Sequence, residues 1–82
     1  MELLGLTEYL VKSLLPDTAD VSIKKIETEI ESDTVIQVLV PSEYMSIVIG
    51  KGGSIANSIR TIVQASAYVK KMGKVRINID SL

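Results

Sequence analysis

The stretch Ile47-Val48-Ile49-Gly50-Lys51-Gly52-Gly53-Ser54 decides how this chain is read. It sets three glycines in four positions, with a lysine among them, between two segments that read as helices. Glycine has no Cβ, so its backbone reaches positive φ and another molecule can come close to it. The loop runs straight into the start of a helix. Backbone N–H groups there lack intrahelical partners and the dipole is positive, so an anion such as a phosphate is favoured. Two common phosphate loops do not fit. The P-loop needs a glycine five positions before its Gly-Lys pair and Ser or Thr directly after it; Met45 and Gly52 stand there. The dinucleotide turn needs a preceding strand and a glycine where Ile55 stands. What remains is Gly-x-x-Gly joining two helices.

Composition narrows the chemistry. With 82 residues the chain has material for one domain, taken as 1–82, with one modest core. An apolar content of 46% argues against disorder. There is no cysteine and no histidine, which removes disulfides, serine–histidine and cysteine–histidine catalysis and the usual zinc sites. No metal, cofactor or enzymatic activity is expected. No apolar run approaches the roughly 20 residues of a membrane span, and the N-terminus lacks a secretory pattern, so a cytoplasmic protein is expected. The net charge of −1 hides a split. Residues 1–50 hold three basic and nine acidic side chains, net −6, and residues 51–82 hold six basic and one acidic, net +5. The basic half begins inside the glycine loop, at Lys51.

Around the loop, the periodicities give an α+β order. Residues 2–15 read as a helix with a stripe of Leu3, Leu6, Leu10 and Leu14, widened by Leu4 and Val11 and ended by Pro16-Asp17. Residues 21–31 read as a strand in which Ile26, Thr28 and Ile30 face inward and Lys25, Glu27, Glu29 and Glu31 face solvent. Val21 and Ile23 have the opposite parity, which suggests a bulge at Lys24-Lys25 or a strand starting there. Glu31-Ser32-Asp33 is a polar turn into a second, antiparallel strand at 34–40, with Ile36, Val38 and Val40 on one side and Val35, Gln37 and Leu39 on the other. Ser42 is the expected N-cap of a short helix from Glu43 to about Val48. A long helix follows over 54–72, its face formed by Ile55, Ile59, Ile62, Ser66 and Val69 with Val63 and Ala67 beside it. Gly73 is the expected C′ residue. A third strand over 74–80 turns Val75, Ile77 and Ile79 inward. The two-helix crossover makes the last two strands parallel, giving a three-stranded mixed sheet with three helices on one face.

This α-β-β-α-α-β order, with Gly50-Lys51-Gly52-Gly53 between the second and third helices, resembles the type II KH domain, whose Gly-x-x-Gly loop clamps the backbone of short single-stranded nucleic acid. The runs Val48 to Gly53, Ile55-Ala56 and Ile59-Arg60-Thr61-Ile62-Val63 are similar to those of the small bacterial single-KH proteins of the KhpA family. The resemblance covers nearly the whole chain, including the Leu-rich first helix and Val38-Leu39-Val40-Pro41. It implies a non-catalytic RNA-binding protein, an RNA chaperone or post-transcriptional regulator. Its partners would be single-stranded RNA, a second copy in a homodimer, or a larger KH-containing protein.

Carried onto this chain, the resemblance has Gly50 and Gly53 set the turn while the backbone of Lys51 and Gly52 meets sugar-phosphate. Bases would lie in an apolar groove walled by Val48, Ile49, Ile59, Val38 and Val40, with Arg60 within two turns of the loop. One departure is Ser54, where KhpA-like proteins commonly have a basic residue; it offers a hydroxyl and can cap the long helix. The groove segments hold no aromatic residue, so weak and weakly specific binding is expected. Plainer roles compete at several positions. Ile49 and Ile59 serve equally well as core. Lys70, Lys71, Lys74 and Arg76 read as a solvated face and helix terminus, and Tyr9, Tyr44 and Tyr68 as core-edge packing. The rival function is a protein–protein module docking through Val35 and Leu39 on the open sheet face, or through the loop-flanking helices.

Overall fold

A computed structural model describes residues 2–27 and 33–82. The elements are α1 (Leu3–Lys12), β1 (Ser22–Glu27), β2 (Thr34–Val40), α2 (Met45–Ile49), α3 (Ser54–Val69) and β3 (Val75–Ser81), with short 3-10 turns at Ser42–Tyr44 and Lys51–Gly53. The sheet order is β1-β2-β3. β1 runs antiparallel to β2, and β2 runs parallel to β3. The helices share one face, as the α+β reading expects, because every buried residue of β2 and β3 joins one cluster with residues of all three helices. Among the described residues no helix is long and apolar enough to cross a membrane.

β2 sits at the centre with neighbours on both sides, which suits its mostly β-branched sequence, broken only by Gln37 and Leu39. Ile36, Val38 and Val40 are buried against the helices, while Val35, Gln37 and Leu39 are half-buried on the open face. Fully burying such side chains stabilises the fold by about 1.5–3 kcal/mol each.

β1 departs from its predicted parity. Ile23 pairs with Val38 and Ile26 with Val35. Directly paired residues point to the same face, so Ile23 goes inward and Ile26 outward, 39% exposed. Pairing is continuous from Ser22 to Glu27, with no bulge at Lys24-Lys25. The expected positions of Thr28, Glu29, Ile30 and Glu31, and most of the Glu31-Ser32-Asp33 turn, lie outside the described residues.

Both long helices are rotated from their expected faces. In α1 the buried residues are Leu3, Thr7 and Val11, with Leu15 following, while Leu14 is exposed. Thr7 tolerates full burial because its hydroxyl donates to Leu3 O at 2.8 Å. The helix ends at Lys12, short of Pro16, and closes with tighter bonds from Leu14 N to Val11 O and Leu15 N to Lys12 O. In α3 the buried residues are Ala56, Ile59, Val63 and Ala67, whereas Ile62 is 47% and Val69 79% exposed. α3 ends at Val69, not Met72. Lys71, at φ 56°, holds the left-handed C′ place expected for Gly73. Met72 N donates to Ala67 O and Lys71 N to Tyr68 O, which is the Schellman pattern. Ser42 makes no side-chain cap; Pro41 holds the N-cap place, and Tyr44 N donates to its carbonyl at 2.9 Å. Tyr44 packs half-buried against the core, but Tyr9 and Tyr68 stand in solvent.

Candidate nucleic-acid interface

Gly50 N donates to Ser46 O at 3.0 Å, the last bond of α2. Gly50 itself sits at φ 76°, ψ 173°, a region essentially reserved for glycine. Space demands glycine there as well. A Cβ on Gly50 would lie 2.6 Å from Ile55 Cγ1, 2.8 Å from Ile55 N and 2.9 Å from Ile55 Cβ. The chain therefore doubles back until its backbone touches the first turn of α3. Gly53 N closes the turn by donating to Gly50 O at 3.2 Å. Gly52 and Gly53 have φ of 62° and 83°, but a Cβ on either would meet nothing closer than Asn57 Nδ2 at 3.8 Å from Gly53.

The result is a short arch between α2 and α3 with Lys51 and Gly52 exposed at its crest. Ser54, also exposed, is the first helical residue rather than a cap, and no side chain caps the α3 N-terminus. Backbone donors, the positive end of a 16-residue helix and the Lys51 ammonium thus meet on one exposed turn.

The remaining expected site residues are distributed differently. Val38, Val40, Val48 and Ile59 are buried in the core and have almost no surface to offer a ligand. Their contribution is to the scaffold, with Val48 anchoring α2 just before the arch. Ile49 is half-buried beside it. Arg60 is tied to the sheet: Nε donates to Ile77 O at 3.2 Å and Nη1 to Asn57 Oδ1 at 3.3 Å. A guanidinium carries five N–H donors, so others remain for a ligand. One turn on, Gln64 Nε2 donates to Val75 O at 3.3 Å. Asn57, Arg60, Gln64 and Tyr68 form a row on the β3 side of α3, leading away from the arch. Only Arg60 of this row was expected at the site. The signal for the others is their three- and four-residue spacing from the loop, on a helix whose only charged residue is Arg60. Among the described residues no group of acidic side chains is placed to hold a metal ion.

An α-β-β-α-α-β chain with a mixed sheet and a Gly-x-x-Gly arch between its last two helices is a KH domain of the type II topology. The family model of the KhpA/KhpB KH domain matches residues 5–79, and the chain belongs to that family. Among curated relatives it is 38% identical over 74 residues to the RNA-binding protein KhpA of Clostridium perfringens, covering 90% of this chain and 95% of that protein. It is 41% identical over 76 residues to the RNA-binding protein KhpA of Oceanobacillus iheyensis, covering 93% and 95%. The fold is shared more distantly with Era. Aquifex aeolicus Era bound to GDP and aluminium fluoride superposes with a TM-score of 0.66 at 12% identity. Era in complex with MgGDPNP and nucleotides 1506–1542 of 16S ribosomal RNA gives 0.70 at 13%. Each match covers 98% of this chain but 30% of the Era chain.

Proposed function

We propose that this protein binds single-stranded RNA by clamping its sugar-phosphate backbone on the Gly50–Gly53 arch, and that it acts in the cytoplasm, without catalysis, as an RNA chaperone or post-transcriptional regulator. The observation that carries the reading is the Gly50–Ile55 contact. It holds Lys51 and Gly52 out as an exposed crest at the start of α3. Phosphate meets backbone donors, helix dipole and one lysine there, none of which reads sequence. The relatives' names, RNA-binding protein KhpA, support the class of ligand. Bases would lie beside the arch, against Ile49 and the Asn57–Arg60 side of α3.

The test is fluorescence-anisotropy titration with a mixed single-stranded RNA across a salt series. Wild type should bind with a log–log salt slope of about −0.7 per phosphate contact. Lys51→Asp/Gly52→Asp, which keeps Gly50 and Gly53, should abolish binding while the chain stays folded, its stability lower only by the about 1 kcal/mol that a side chain costs at the positive φ of Gly52. Equal binding by both chains would rule out the arch as the clamp.

A second reading, self-association, rests on the flank of α3 turned away from Arg60. Ile62, Ala65 and Val69 are exposed there, and no residue from 61 to 69 carries a charge. A two-fold pair sets such residues close to their own twins, where like charges would repel. This flank would seat a second copy, or a larger KH-containing partner. Sedimentation equilibrium should find wild type dimeric and Ile62→Glu/Val69→Glu monomeric; a monomeric wild type ends this reading.

A further inference from the structure

A hollow of about 450 Å³ opens at the end of α3 farthest from the arch, lined by Gln64, Tyr68, Met72, Lys74 and Val75. Its position follows from the helix terminus. Left-handed Lys71 turns the chain sharply, so Met72 folds back under α3 and Lys74 enters β3 beside it. Met72 supplies an apolar wall, with the buried Val75 beneath it as the floor. Tyr68 stands at the rim with 84% of its surface exposed. A tyrosine this bare contributes little to the core, and its ring is free to be covered by a flat partner.

The hollow continues the row that starts at the arch. Asn57, Arg60, Gln64 and Tyr68 succeed one another along the β3 side of α3. Ser54 and Tyr68 are separated by about 21 Å at 1.5 Å per residue. Gln64 belongs to both, since its amide donates to Val75 O and also lines the hollow. The row is polar, and it ends where an aromatic ring and an exposed lysine line the same hollow.

We propose that this hollow is a second seat for the same single-stranded RNA, in which one base stacks on Tyr68 and the adjoining phosphate meets Lys74. The proposal rests on the arch reading for the first contact. Stacking on a tyrosine suits any base, because every base has a π face. The seat makes good what the arch lacks, an aromatic surface. It lies beyond the roughly four nucleotides a KH clamp holds, so it is filled only by a longer strand.

The experiment compares a 4-nucleotide and a 10-nucleotide single-stranded RNA on the full chain. Tyr68→Ala should weaken the 10-mer about tenfold and leave the 4-mer unchanged. Tyr68→Phe should restore the loss, since the ring and not the hydroxyl does the work. Lys74→Ala should flatten the salt slope of the 10-mer by about 0.7. A 5-iodouridine at one end of the 10-mer should photocrosslink to Tyr68. If neither end crosslinks, or Tyr68→Ala changes the 10-mer less than twofold, the seat is overturned. If Tyr68→Ala instead breaks self-association without touching RNA affinity, the ring belongs to a contact between copies and the seat is likewise overturned. Failure of the arch is read separately: Lys51→Asp/Gly52→Asp would then leave the 4-mer bound, whatever Tyr68→Ala does to the 10-mer. Without measurable binding of either RNA at low salt, both proposals fall.

Discussion

Both ends of α3 use backbone at positive φ, and they bear it differently. At the N-terminal end glycines hold φ 62° to 83°. At the C-terminal end Lys71 holds φ 56°, a full side chain in a conformation that costs an L-residue roughly 1–2 kcal/mol. The reason lies in what surrounds each turn. Gly50 is pressed against Ile55, so no side chain fits. Lys71 is exposed, so its side chain has room and the penalty is that of its own backbone. Positive φ by itself is thus a tolerable strain, and positive φ combined with close approach is not. The arch turns on one residue of the second kind, Gly50, while Gly52 and Gly53 are of the first; that one fixed contact gives a pre-set clamp its rigidity.

Substitutions in the turns at the two ends of this helix can break that comparison. Gly50→Ala should do the most damage. The strained region and the clash with Ile55 together amount to about 3 kcal/mol or more, a fall in Tm of more than roughly 10 °C for a chain this size. Gly53→Ala has the same sign of φ but open space, so it should cost only about 1 kcal/mol. Equal melting temperatures for the two variants would show that packing on Ile55 plays no part. Lys71→Gly should be the smallest effect and opposite in sign, a gain of up to about 1 kcal/mol read as a rise in Tm of a few degrees. A loss of stability there would mean that the lysine side chain carries more than the strain removes.

The arch was legible in the sequence because glycines announce backbone need directly. β2 was legible for a similar reason: strand parity is strict, and Ile36, Val38 and Val40 could only fall on one side. The helix faces were less so. Large apolar residues attract the eye, but the line of closest approach takes small ones, so Thr7, Ala56 and Ala67 sit in the core while Leu14, Ile62 and Val69 turn outward. β1 was misread because its parity is imposed by its partner: Val38 draws Ile23 inward and leaves Ile26 outside, whatever the local alternation suggests. The groove walls Val38, Val40, Val48 and Ile59 were apolar and near the motif, and nothing in a sequence separates a residue that lines a surface from one just beneath it. Tyr68 went the other way, an aromatic expected at the core edge and found in solvent.

The bonds from Arg60 and Gln64 to the carbonyls of Ile77 and Val75 have a consequence for life at high concentration. β3 borders the sheet, and an uncovered border strand is a template on which another chain can add, the first step towards aggregation. These two side chains occupy alternate acceptors of that border and deny them to a stranger. They also lie on the path proposed for RNA. Solubility and ligand access are therefore managed by the same pair of residues, and a change that opened the path wider would also loosen the guard on the sheet.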